Sequence, residues 1–165
     1  MKLSKEEFCD EYGLTEDQFY GRDIIEEDLG IIHSKYLPEG CSLGAYKSLR
    51  FYELLELPKV CFLKSEDTLS LPILKKLSEG CTLKAIYIDL ESLKELPENY
   101  SVDAVWVWCK NVIPTYKGSS EFYLGEWNKK KSFKDFSYIK EEPLKFLRSD
   151  EPLEKALAEY FLKNP

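Results

Sequence analysis

The sequence predicts an α/β fold: a short parallel β-solenoid of about five rungs, leucine-rich-repeat-like in its spacing, capped by helices at both ends. Three observations carry this expectation. Leu37, Leu57, Leu77 and Leu96 recur at intervals of 20, 20 and 19 residues, the mark of one supersecondary unit stacked on copies of itself. Cys41, Cys61 and Cys81 keep the same period, each four residues after its leucine. Ile86 and Ile88 flank Tyr87, and Val105 and Val107 flank Trp106; this period-two alternation of β-branched and aromatic residues reads as short strands.

The units follow in order. Leu37-Pro-Glu-Gly-Cys-Ser-Leu43 and Leu77-Ser-Glu-Gly-Cys-Thr-Leu83 agree at five of seven positions. In the fourth unit Asn99 replaces the glycine, a substitution that a left-handed backbone tolerates best. In the second, Val60 stands at the glycine position, and a different turn is expected there. Eight residues after each anchor leucine stands a small residue: Ala45, Ser65, Ala85 or Ala104. Each unit is then expected to be a turn, a strand and a return segment, its leucines buried only by its neighbours. A weaker fifth unit is expected to draw its strand from residues 118–127, with the phase lost by Lys129-Lys130-Lys131.

The segment before the array predicts two short helices. Ser4 with Glu7, and Thr15 with Gln18, form capping boxes, and the pairs Leu3/Phe8 and Leu14/Phe19 are placed as hydrophobic staples. Gly13 and Gly21 stop the helices. Residues 22–36 are expected to form an atypical first rung with Ile24, Ile25, Leu29, Ile31 and Ile32 inward. At the far end Asp150 is placed as the cap of a helix over 151–163, whose apolar face is Leu153, Ala156, Leu157, Tyr160 and Phe161. The organisation expected is one domain over 1–165: an acidic helical cap and first rung (1–36), the repeat array (37–128) and a C-terminal cap (129–165).

On these residues, Leu37 to Pro114 resembles the short leucine-rich-repeat-like arrays of many bacterial and phage proteins, whose units read Leu-Pro-x-Gly followed by a strand. Ser4 to Gly21 resembles the helical lead-in of such arrays. The resemblance covers about half of the chain and implies a right-handed solenoid used for binding. It supplies no catalytic residue.

Composition narrows the classes. With 44% apolar and 14% aromatic residues, the chain has the makings of a packed core rather than a disordered one. It contains no apolar run of the ~18 residues that a membrane span requires. Five cysteines without a secretory leader predict a reducing cytoplasm. Residues 1–30 hold ten acids against three bases, so the whole net charge of −7 belongs to the lead-in.

Each chemical constellation has a plain reading beside a functional one. The cysteine series suits a ladder of small buried side chains better than a metal or redox site, since no fourth ligand shares its phase. His33 is the sole histidine, so the enzyme alternative is a small hydrolase or transferase pairing it with Cys61 or Cys109. Phosphate-binding glycine loops are absent. Lys129-Lys130-Lys131 near Trp127, Phe133 and Phe136 suits either a solvated loop or single-stranded nucleic acid; the acidic total weighs against the latter. First-turn acids Glu6, Glu7, Glu16 and Asp17 are explained by helix dipoles. Asp23, Glu26, Glu27 and Asp28 are not, and they suit either solubility or imitation of a phosphate rail. Trp106 and Trp108 share one face of a strand beside Tyr87; they form a binding patch, or the segment 132–147 with Phe133, Phe136 and Tyr138 covers them.

The expectation is therefore a non-enzymatic module, without cofactor or metal, that binds another protein of basic surface through Tyr87, Trp106, Trp108, Asp23, Glu26, Glu27 and Asp28. In the bacterial or phage setting that the resemblance implies, its specific form is an acidic phage or mobile-element inhibitor of a host nucleic-acid-handling defence protein. A structural scaffold is the other non-enzymatic alternative. Direct nucleic-acid binding and membrane association are not expected.

Overall fold

The computed structural model describes residues 2–110 and 121–165. Helices α1 (Lys5–Tyr12) and α2 (Glu16–Phe19) open the chain, and both capping boxes form. Ser4 Oγ accepts from the Glu7 N–H and Thr15 Oγ1 from the Gln18 N–H, each at 3.1 Å. Gly13 closes α1 in the left-handed region. The staple phenylalanines Phe8 and Phe19 are fully buried, with Leu3 and Leu14 packed against the core.

Beyond α2 the chain winds into a β-solenoid of about four turns. The sequence reading allowed each unit one strand; the structure has two. The first strands are β1 (Leu43–Ala45), β3 (Phe62–Ser65), β5 (Cys81–Lys84) and β7 (Tyr100–Asp103). The second are β2 (Leu49–Arg50), β4 (Thr68–Ser70), β6 (Tyr87–Asp89) and β8 (Trp106–Cys109). One parallel sheet runs β1-β3-β5-β7. The other runs β2-β4-β6-β8 and continues into β9 (Glu121–Leu124), parallel to β8, and β10 (Lys131–Ser132), antiparallel to β9. Of the 118–127 stretch expected to supply the fifth unit's strand, residues 118–120 lie outside the described residues and Glu121–Leu124 adds a strand to the second sheet; the parallel phase ends where the lysines begin.

The sheets meet at a corner behind Ala45, Ser65, Ala85 and Ala104, all buried. A small side chain is needed there because the inner faces converge. Ser65 fits because its hydroxyl is satisfied: it donates to the Lys47 carbonyl at 2.9 Å and accepts from the Asp67 N–H at 3.0 Å. The alternation read around Tyr87 and Trp106 therefore spans this corner, and Ile86 and Val105 are exposed rather than inward. The shortened interval in the leucine series also lies here: six residues separate Leu43 from Leu49 and Leu63 from Leu69, but five separate Leu83 from Ile88 and Val102 from Val107.

Inside, equivalent residues stack into columns. Leu43, Leu63, Leu83 and Val102 line the first sheet; Leu49, Leu69, Ile88 and Val107 line the second. On the third side isolated parallel bridges join Tyr36 to Glu56 and Lys76 to Glu95, which keeps the anchor leucines in register. Leu37, Leu57 and Leu77 are buried, and Leu96 packs against the core. In the incomplete first rung Ile25 and Ile32 are buried, but Ile31 is exposed and Ile24 and Leu29 are half-buried.

The turns correct two expectations. Val60 makes the same turn as Gly40 and Gly80, with φ of 56°. Asn99 lies in a bend outside the left-handed region, since Val60 is the non-glycine residue at positive φ among the described residues. The C-terminal cap comprises α3 (Ser137–Glu141), α4 (Pro143–Phe146) and α5 (Pro152–Lys163). Glu151, not Asp150, caps α5, its carboxylate accepting from the Leu153 N–H at 3.2 Å. Leu157, Ala158 and Phe161 seat α5 on the core. No helix among the described residues is long and apolar enough to cross a membrane.

Candidate partner-binding site

The outer face of the second sheet holds the three aromatic residues among the seven sequence-predicted contact residues, Tyr87, Trp106 and Trp108. Parallel register sets Tyr87 beside Trp106, and Asp89 beside Trp108. With Ile88 and Val107 inward and fully buried, the period of two aims Tyr87, Trp106 and Trp108 at the same outer face. Their exposures differ sharply. Trp106 is 41% exposed and Trp108 only 4%.

The cover over Trp108 is Trp127, not the 132–147 segment. Trp127 opens a 3₁₀ turn (Trp127–Lys129) in the loop between β9 and β10. Its ring meets that of Trp108 edge-on at 4.9 Å and that of Tyr87 at 6.1 Å. The Trp108 indole N–H donates to the Gly125 carbonyl at 3.0 Å. Phe133 packs instead on Tyr160 and Phe161, and Phe136 is buried beside Tyr138. The sequence reading places Trp127 at the end of the fifth unit's 118–127 strand and near the lysine run. Nothing in its local spacing shows that the hairpin loop folds back over the preceding rungs.

Strand β6 carries two perturbed groups, Tyr87 and Asp89. The Tyr87 hydroxyl is buried with no hydrogen-bond partner among the described residues. Burial, and secondarily the charge of Asp89, raises its pKa above the ordinary phenol range. Burial also pushes the Asp89 carboxyl up to about 6; the Glu91 N–H that it accepts opposes the rise, and the Glu91 carboxylate adds to it.

Around the corner, Ile86, Val105 and Trp106 are 47%, 52% and 41% exposed. Together with Lys64, Lys84 and Asp103 they line an open groove of about 690 Å³. Lys64 pairs with Glu66 at 3.2 Å and Lys84 with Asp103 at 4.0 Å. The groove thus has an apolar wall from the corner and a wall of paired charges from the first sheet.

The acidic residues form a separate surface beside the first rung. Asp23, Glu26 and Glu27 are exposed and rim a cleft with Tyr12, Gln18 and Leu29. Asp28 is bound by Arg50 through both guanidinium nitrogens, at 3.1 and 3.2 Å. That pair staples the lead-in to β2.

The nucleophile candidates have different surroundings. Cys41, Cys61, Cys81 and Cys109 are buried. The Cys61 thiol donates to the Cys41 carbonyl at 3.1 Å. Burial pushes Cys61 up to about 12 and Cys81 to about 11, and raises Cys41 and Cys109 as well. Such thiols carry almost no thiolate at neutral pH. His33 is exposed and its Nδ1 lies 2.6 Å from Glu53. Among the described residues no cluster of three or more His, Cys, Asp or Glu side chains is arranged to hold a metal ion.

Comparison with protein-family models, curated proteins and solved structures gives no match.

Proposed function

We propose that this protein is a non-enzymatic binding module that recognises another protein through the corner of its solenoid. The supporting observation is the run Ile86, Val105 and Trp106, three large apolar side chains exposed together on adjacent rungs and lining one groove. Contiguous exposed apolar surface of this kind marks interaction sites, and tryptophan is the residue most enriched among interface hot spots. Tyr87 and Trp108 support Trp106 from the same face. Asp23, Glu26 and Glu27 supply a negative field that speeds encounter with a basic partner. In its most specific form the reading is an inhibitor of a host nucleic-acid-handling defence protein, the acids standing where phosphates would bind. The cytoplasm, where the free thiols stay reduced, is the compartment that goes with it.

Affinity capture with the purified chain tests the reading. Replacing Ile86 and Trp106 by alanine is expected to weaken a captured complex by about 2 kcal/mol or more, mainly through faster dissociation. Neutralising Asp23, Glu26 and Glu27 is expected to slow association and flatten its salt dependence. A complex indifferent to both sets of changes removes the surface proposed here.

A further inference from the structure

The outer face of the second sheet carries a seat for an aromatic ring, and the chain fills it with its own Trp127. The seat is built by Tyr87 and Trp108 on neighbouring strands, with ring centroids 6.1 and 4.9 Å from that of Trp127 and interplanar angles of 83° and 67°. These are edge-to-face contacts of the favourable kind. The filling is incomplete in two respects. Trp127 remains 54% exposed. The Tyr87 hydroxyl is buried with no hydrogen-bond partner among the described residues. A buried hydroxyl left unsatisfied forfeits the hydrogen bonds it had in water.

The loop that carries Trp127 is built to move without disturbing the sheet. Residues 126–130 connect β9 to β10 outside the paired strand positions, while the Gly125 N–H at their base still donates to the Cys109 carbonyl at 3.2 Å. Gly125, at φ of 107°, supplies a pivot at the base. The 3₁₀ turn has no side-chain cap. Lys130 Nζ sits 3.8 Å over the Trp127 ring and donates to the Trp127 carbonyl at 3.4 Å, so these contacts travel with the loop. At its base the loop is held by the Lys110–Glu126 pair at 3.1 Å and by the Trp108-to-Gly125 hydrogen bond.

We propose that the Tyr87–Trp108 seat is a docking site for a tyrosine side chain of the partner protein, which displaces Trp127. The occupant in place identifies the shape of what fits, a flat ring held edge-to-face. The unpartnered hydroxyl identifies the added chemistry, a neutral oxygen that accepts from Tyr87. A phenol supplies both. A carboxylate in that position would face Asp89 on the same strand, and aliphatic groups would leave the hydroxyl unsatisfied. This inference rests on the protein-binding reading for its biological occupant, but its test does not need that partner.

The probes are p-cresol, the tyrosine side-chain analogue, and indole, followed by aromatic NMR of the full chain. In Trp127→Ala, p-cresol is expected to give saturable millimolar shifts at the Trp108 indole N–H and the Tyr87 ring. Wild type should bind about tenfold more weakly, because its own loop competes for the seat. Adding Tyr87→Phe should weaken p-cresol and leave indole unchanged. The same experiment on wild type labelled with 5-fluorotryptophan needs no substitution: high p-cresol should move the Trp127 resonance toward its solvent-exposed position. An unchanged Trp127 resonance, or no saturable shift in folded Trp127→Ala, overturns the proposal. Partner capture indifferent to the corner variants, with cresol binding intact, would overturn the corner reading and support the seat.

Discussion

Val60 shows how strongly the stack dictates the backbone of a single residue. A β-branched side chain at positive φ is an outlier, since its Cβ crowds the following carbonyl. The residue accepts φ of 56° because the ladder leaves it no alternative: its N–H donates to the Glu79 carbonyl at 3.0 Å, and glycines occupy the same turn position in the rungs on either side. Val60→Gly is therefore expected to stabilise the fold by about 1 kcal/mol, strain relief outweighing the greater freedom of glycine in the unfolded chain. A rise in the urea midpoint at constant slope would confirm it; a fall would show that the exposed valine makes a contact worth more than the strain. Asp89 supplies a pH test at the same scale. Its folded pKa of about 6 lies above the ordinary value of 3.8, so folding favours the protonated form. The favourable contribution is complete below the unfolded value and is lost as pH rises through the folded one. Asp89→Asn should thus gain stability relative to wild type as pH rises from 4 to 8, by about 1–2 kcal/mol after allowance for solvent screening. Its Oδ1 can still accept from Glu91. Parallel pH–stability curves for the two proteins would refute the assignment.

The elements differ in how much of them is local. α1 and α2 are set by short-range signals, and their caps, staples and stop glycines appear in the structure as read. Ser4→Ala should cost about 1 kcal/mol, because it orphans the Glu7 N–H and breaks the reciprocal box; thermal denaturation of the pair of proteins measures it. The strands are a different matter. The sequence pattern showed the leucine period and the residues that alternate, but not the corner that divides each unit into two strands. Ala45, Ser65, Ala85 and Ala104 were recognisable as small, yet smallness alone does not tell a corner from a tightly packed straight strand. The direction of Ile86 and Val105 follows from that corner, so the apolar wall of the groove was out of reach. The cap of α5 shifted by one residue for a local reason: Glu151 is adjacent to Pro152 at the helix start, and its carboxylate reaches the Leu153 N–H.

At the scale of the whole molecule, stability is a sum over neighbours in a very short stack. Leu54, Leu74 and Leu93, each three residues before its anchor leucine, are fully buried. Leu74→Ala should cost about 2–5 kcal/mol, because flanking rungs fixed by their own hydrogen bonds cannot collapse into the space. With so few rungs the loss cannot stay local. Cys41, Cys61 and Cys81 should become reactive toward a thiol reagent together, at the denaturant concentration where the sheet signal is lost. Stepwise exposure of one thiol before the others would show that the rungs unfold independently. Charge is likewise distributed at this scale: the acid excess sits wholly in the lead-in, so one end of the molecule carries the field and the corner near the other end carries the apolar groove.

The repeat, the anchor leucine column, the buried cysteine ladder, the two opening helices and the acidic end are legible in the order of residues. All of these arise from interactions within one unit or between equivalent positions of successive units, and periodicity reports such interactions directly. The two-sheet cross-section, the outward turn of Ile86 and Val105, the left-handed Val60 and the folding of Trp127 over Tyr87 and Trp108 emerge only when the rungs are stacked. Each depends on where the chain path places residues that share no spacing. A hydrogen-bonded neighbour can force a backbone angle that propensity opposes, and a hairpin loop can cover a face that alternation leaves open.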